Sequence, residues 1–183
     1  MQTPVLPACL EPLVEYLNRL ESRASIERLR ELLEETKVTI EDVRDFVEFG
    51  SNQYRRNLVT MGPWFELLVI CWRSGQRSPI HNHATSTCGL KILQGICSET
   101  SFARSPCQQV VARETQELTT GHICATQDDD THQVSNLQPP GQNLVTLHIY
   151  SPPLRAMKQF SITGGEPQEY RPIVFDFVGG DGI

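Results

Sequence analysis

The hydrophobic pattern changes rhythm near residue 50. Before it, Leu13, Val14, Leu17 and Leu20 recur at helical spacing, then Ile26, Leu29, Leu32 and Leu33, then Ile40, Val43, Phe46 and Val47, which predicts three short amphipathic helices. Thr39 followed three residues on by Asp42 reads as a capping box for the third helix, and Gly50 as its stop. After Gly50 come β-rich runs, FELLVICW, GLKILQGI and LVTLHIY, separated by clusters of Gly, Pro, Ser, Asp and Asn at the spacing of an all-β barrel or sandwich. In the last run, alternation sets Thr146, His148 and Tyr150 on one face and Val145, Leu147 and Ile149 on the other, the polar-in, apolar-out register of a barrel strand. No repeat or linker divides the chain, so the expectation is a mainly β protein forming one domain over residues 1–183. Helices in 1–50 would pack on a β-barrel in 51–183, and the closing VFDFVGGDGI would be a last strand and a loose end.

Composition narrows the function classes. A chain of 183 residues, 39% hydrophobic and 21% charged, has the make-up of a globular domain long enough to bury a real core. Its 16 basic against 22 acidic residues give a net charge of -6 without any basic run, which argues against nucleic acid as a partner and for a small molecule. No apolar stretch approaches a membrane span, and MQTPVLPACLEP lacks the basic and apolar regions of a signal peptide, so a cytoplasmic monomer is expected. Cys9, Cys71, Cys88, Cys97, Cys107 and Cys124 show no CxxC spacing and read as reduced thiols.

Candidate chemistry begins at SPIHNHAT. His81 and His83 are two apart, and on a strand residues i and i+2 share a face, so both imidazoles reach one point inside a barrel. Gly75, His81, His83 and Gly95 match the spacing of the first cupin motif, with Cys88 where most cupins have Glu. Gly121, His132 and Asn136 match the second, with Gln127 and Asp129 in place of its Pro and Gly. Together the motifs supply three histidines and no carboxylate. Imidazoles suit Fe, Cu, Ni or Zn. If the metal is iron, a site without a protein anion stays electrophilic and can accept a substrate thiolate. His148 and Tyr150 fit either a hydrogen-bonded row beside such a site or a pair satisfying each other in a core. Arg55 and Arg56 fit either an exposed basic pair or an anion-binding fork.

From Tyr54 to Pro153 the chain resembles the mammalian type of the cysteine dioxygenase family, through YRRNLV at 54–59, ICW at 70–72, SPIHNHATSTCGLKILQG at 78–95, HQVSN at 132–136 and LHIYSPP at 147–153. The resemblance implies one Fe(II) per chain held by His81, His83 and His132. It implies Arg56 as the residue that binds the substrate carboxylate, leaving Arg55 on the surface; a guanidinium fork suits a planar carboxylate. A thioether crosslink between Cys88 and Tyr150, Thr146 and His148 orienting the Tyr150 hydroxyl, Tyr54 and Trp72 lining the pocket, and a cis Ser151–Pro152 bond are carried over in the same way. His122 falls outside the ligand register and reads as surface.

The implied reaction adds both atoms of O₂ to the sulfur of L-cysteine, giving cysteine sulfinic acid, with Arg56, His148 and Tyr150 as the catalytic side chains. Three other readings compete: a dioxygenase for another small thiol such as 3-mercaptopropionate, against which Arg56 speaks; a non-catalytic cupin that binds a metal or ligand; and a zinc-dependent isomerase cupin.

Overall fold

The structure is a computed structural model and describes residues 4–106, 109–128 and 130–176. Cys107, Asp129 and the end of the tail beyond residue 176 lie outside the described residues.

The first two predicted helices form. Helix α1 spans Glu11–Asn18, with Pro12 in its first turn, where a missing N–H costs nothing. Helix α2 spans Ile26–Glu35, and the Ser25 hydroxyl at its start accepts the Arg28 N–H at 3.2 Å, satisfying an otherwise orphaned donor. The third predicted helix does not form: residues 40–43 are turns, followed by a single 3₁₀ turn at Arg44–Phe46. The expected cap is half made, since the Asp42 carboxylate accepts the Thr39 backbone N–H at 2.8 Å and its hydroxyl at 2.7 Å. The segment has only two fully buried anchors, Val43 and Phe46. Three residues apart, they are aligned by one 3₁₀ turn, and β-branched Ile40, Val43 and Val47 give a short helix little support.

Among the described residues twelve strands follow: β1 Arg55–Gly62, β2 Phe65–Trp72, β3 Ile80–His81, β4 Thr87–Gln94, β5 Ile96–Arg104, β6 Val110–Thr119, β7 Ile123–Gln127, β8 His132–Ser135, β9 Leu144–Ser151, β10 Met157–Phe160, β11 Gln168–Tyr170 and β12 Val174–Phe175. The three apolar runs therefore become β2, β4 with the start of β5, and β9. The expected barrel is built as two six-stranded sheets, ordered β12-β1-β2-β9-β4-β7 and β11-β10-β3-β8-β5-β6. Their inner faces pack together through Leu68, Ile70 and Leu90 of the first and Cys97, Val134 and Met157 of the second.

The outer face of the first sheet is buried as well. Phe65, Leu67, Val69 and Cys71 of β2 and Val145, Leu147 and Ile149 of β9 join Leu13, Leu17, Leu29 and Leu33 of the helices in one cluster, each such side chain contributing about 1.5–3 kcal/mol on burial. Strands β2 and β9 are buried along their whole length, which explains why their runs are almost continuously apolar. Lys91 ties the end of α2 to β4, its Nζ donating to the Leu33 carbonyl at 3.0 Å and the Thr36 carbonyl at 2.5 Å. Gly89 lets that helix approach, since a Cβ there would sit 2.9 Å from Leu33 Cδ1. Gly95, between β4 and β5, has φ +85° and stands where a Cβ would meet the Asn143 oxygen at 2.5 Å; only glycine fits both demands.

Candidate metal centre

His81, His83 and His132 come together between the sheets, buried, each offering a ring nitrogen within 4.8 Å of the others. His81 and His132 are direct cross-strand neighbours on β3 and β8. His83 is not on a strand, because β3 ends at His81. It lies in the turn that follows, where Ala84 has φ 50° and the His83 N–H donates to the Asp128 carbonyl at 3.3 Å. The two imidazoles converge, but through a turn rather than strand alternation.

Each ring is fixed through Nδ1. His81 Nδ1 is 2.9 Å from the Pro79 carbonyl, His83 Nδ1 is 3.1 Å from Thr126 Oγ1, and His132 Nδ1 is 2.5 Å from Glu99 Oε1. With Nδ1 so occupied, the other nitrogens face inward; Nε2 of His83 and Nε2 of His132 stand 3.2 Å apart. Acceptors holding the far side of metal-binding imidazoles are the usual means of fixing tautomer and ring orientation. Burial, reinforced by His132, pulls the His81 pKa down to about 3, and burial pulls His83 well below its ordinary value. Both rings are therefore neutral near neutral pH, the state a metal requires. Three inward imidazole nitrogens with anchored rings fit a mononuclear divalent cation.

The surrounding cavity, of about 20 Å³, is lined by the three histidines, Tyr54, Arg56, Trp72, Cys88, His148 and Tyr150 among others. All the site residues named from the sequence are thus brought to one place except Thr146, which stands behind it. Trp72 Nε1 donates to Thr146 Oγ1 at 3.1 Å, and the Thr146 hydroxyl donates to the Ile70 carbonyl at 3.4 Å. His148 Nε2 lies 2.9 Å from Thr146 Oγ1, and His148 Nδ1 lies 3.2 Å from the Tyr150 hydroxyl. Because the Thr146 proton is spent on Ile70, this network assigns the His148 proton to Nε2 and makes Nδ1 the acceptor of the Tyr150 O–H. Burial and nearby Arg56 hold His148 far below its usual pKa, so the ring remains the neutral acceptor the row needs.

Cys88 and Tyr150 are paired directly across β4 and β9. Burial pushes the Cys88 thiol up to about 12, against a hydrogen bond with Tyr150, and pushes the Tyr150 phenol well up too, with Cys88 adding to the effect. Tyr54 stacks on Trp72, with ring centroids 4.2 Å apart. Arg56, 3% exposed, sets its guanidinium carbon 5.0 Å from the Tyr150 ring centre, and its Nε has no hydrogen-bond partner. An unsatisfied buried donor on the wall of a cavity calls for an anionic ligand. Arg55 points elsewhere, pairing with Glu48 at 2.8 Å and lying over Phe175. His122 is exposed and outside the cluster, and Ser151–Pro152 is cis.

Two carboxylates escaped the sequence reading. Glu99 supports His132; burial pushes its pKa up, but the hydrogen bond and electrostatic pull of His132, with a smaller pull from His122, together outweigh this and hold the carboxyl low. Glu66, 2% exposed, pairs with Arg56 at 3.1 Å. Its signal was present, as the one charged residue in the otherwise apolar run 65–72. Glu99 carried no such mark among the polar residues of β5.

Two sheets closed face to face on a buried histidine cluster define a cupin-type, double-stranded β-helix protein. A Klebsiella pneumoniae protein with a double-stranded β-helix domain matches at TM-score 0.51 and 15% identity over 65% of this chain and 94% of its own, and a Thermus thermophilus protein at TM-score 0.51 and 16% identity over 63% and 98%. The family model for cysteine dioxygenase type I matches residues 2–163. Cysteine dioxygenase type 1 of Danio rerio is 34% identical over 174 residues, covering 87% of this chain and 83% of that protein; the Homo sapiens protein is 31% identical over 166 residues, covering 87% and 82%. The chain belongs to the cysteine dioxygenase type I family, and is an enzyme of the iron-dependent thiol dioxygenase class.

Proposed function

We propose that this enzyme oxidises L-cysteine with O₂ to cysteine sulfinic acid at one Fe(II) held by His81, His83 and His132. The observation that carries the substrate is Arg56, a buried guanidinium with an unpartnered Nε on the wall of the histidine cavity. A thiol bearing a carboxylate supplies the missing acceptor, and a charge-assisted hydrogen bond there is stronger than a neutral one. When bound, Fe(II) supplies the chemistry that lets O₂ react with the sulfur of a thiolate. The protein contributes binding and orientation. Arg56 and the Tyr150 phenol grip the acid end, the Trp72–Thr146–His148 row fixes the phenol, and the stacked Tyr54 and Trp72 rings wall the cavity. Holding the reactants in one orientation removes much of the entropic barrier.

The cross-strand pairing of Cys88 and Tyr150 supports the thioether as a second, protein-derived cofactor. Forming it joins Sγ to a ring carbon of the phenol, releasing the thiol and ring hydrogens as two protons and two electrons to O₂ as oxidant.

The test is anaerobic loading with Fe(II), followed by O₂ uptake and sulfinate formation with L-cysteine and, separately, 3-mercaptopropionate. Matching uptake and cysteine sulfinate, lost in His132→Ala and weakened in Arg56→Gln, supports the reading. Preference for 3-mercaptopropionate would move the assignment to that thiol, and no oxidation of either would leave a cupin of another function.

A further inference from the structure

Arg56 does not face the cavity as an isolated cation. Alternate residues of β2 point inward, Leu68, Ile70 and Trp72 among them, and Glu66 falls in the same register, opposite Tyr150 on β9. It is buried, accepts from Arg56 Nη2 at 3.1 Å, and accepts from the Leu154 backbone N–H at 3.1 Å. Its other charged neighbour is Arg155. A buried ion pair is a weak device for stability, because desolvating both charges cancels much of their attraction. Glu66 does not itself line the cavity, but the guanidinium it holds does, so its charge bears on whatever anion Arg56 receives.

We propose that Glu66 is a specificity-determining residue: its carboxylate shares the Arg56 guanidinium with the acid group of the substrate, and thereby limits how strongly the site favours thiols that carry a carboxylate. The inference rests on the reading of Arg56 as the carboxylate-binding residue. Two carboxylates on one guanidinium repel each other in a cavity with little water to screen them, so the resident anion weakens the hold on the incoming one. It leaves untouched a thiol whose head group does not reach for Arg56. Glu66 also pins one guanidinium nitrogen and leaves Nε bare, which directs the guest acid to the remaining donors.

The test compares wild type with Glu66→Gln on three thiols: L-cysteine, 3-mercaptopropionate and cysteamine, which lacks the carboxylate. Glutamine keeps an oxygen for Arg56 and for the Leu154 N–H but removes the charge. The KM for both acids should fall about tenfold while that for cysteamine stays within about twofold, since like charges brought together at a recognition site are penalised strongly. A small change in kcat would mark the effect as one on binding. Should Glu66→Gln fail to fold, as judged by its melting transition, Glu66→Asp takes its place: it keeps the charge but withdraws it by one methylene, and should lower the KM of the acids about two- to threefold. Unchanged KM values, or a rise shared by all three thiols, would make Glu66 a packing residue and overturn the inference. A wild-type enzyme that oxidises none of the three would remove the reading of the site and this inference together.

Discussion

Glu99 Oε1 lies 2.5 Å from Nδ1 of His132, so that one of the three clustered imidazoles is backed by a carboxylate while the other two rest on a carbonyl and a hydroxyl. The carboxylate fixes the His132 tautomer and holds the ring with its other nitrogen inward. Glu99→Gln should weaken Fe(II) binding about 10- to 100-fold, as other losses of such support do. Anaerobic metal titration reads this directly, and an affinity equal to wild type would mean that Glu99 only fills space.

Removing Arg56 should cost the fold as well as the substrate. Arg56→Leu leaves Glu66 buried and unpaired, which should destabilise the protein by about 3–5 kcal/mol. The double variant Arg56→Leu with Glu66→Leu removes both charges and should regain part of that loss, although the Leu154 N–H then lacks its acceptor. Denaturant melts of the metal-free proteins would show a double variant more stable than the single one; the reverse order would argue that the pair is a net source of stability.

Turnover should leave its trace in the mass of the protein. If the thioether forms between Cys88 and Tyr150, intact-mass measurement after incubation with iron, L-cysteine and O₂ should find the chain lighter by two hydrogen atoms. Cys88→Gly should keep its full calculated mass through the same treatment. A wild-type chain whose mass never changes would exclude the crosslink.

Acid should undo the metal-free protein through its buried histidines. His81 has a folded pKa lowered by burial to about 3 from an ordinary 6.5, and His148 is lowered as well. The unfolded chain therefore takes up protons first as pH falls. Stability is at its full value above about pH 6.5 and declines below it, by about 1.4 kcal/mol per pH unit for each such histidine. For His81 the decline ends near pH 3. Urea midpoints measured from pH 7.5 down to 4.5 should fall steadily, and His148→Gln should flatten the slope. Flat midpoints would mean that these rings are open to solvent.

The sequence was most informative where one physical demand acted alone. The stripes of α1 and α2 face one apolar surface, and β2 and β9 are buried on both faces, so their patterns could be read directly. The segment around Val43 and Phe46 failed because two buried anchors three residues apart suit a 3₁₀ turn as well as a helix, and nothing local chooses between them. His83 reaches the cluster for a reason that strand alternation does not contain, since it opens a turn closed by Ser86 and its N–H is held by the Asp128 carbonyl far along the chain. A carboxylate reveals its role only through its partners: His132 lies 33 residues along the chain from Glu99, and Arg56, on the neighbouring strand, is not the residue that the β1–β2 register sets opposite Glu66. Resemblance names the cavity residues; the hydrogen-bond directions and the two acidic supports are visible only in the folded chain.

Strand β9 carries Thr146, His148 and Tyr150 on one side and Val145, Leu147 and Ile149 against the helices on the other. It is a party wall. Any repacking of the helical layer that shifts this strand by a fraction of an ångström also displaces the phenol that addresses the substrate. The amino-terminal helices therefore belong to the reaction chamber as its rear support, and changes at Leu29 or Leu33, far from any reacting atom, should register in turnover as well as in melting temperature.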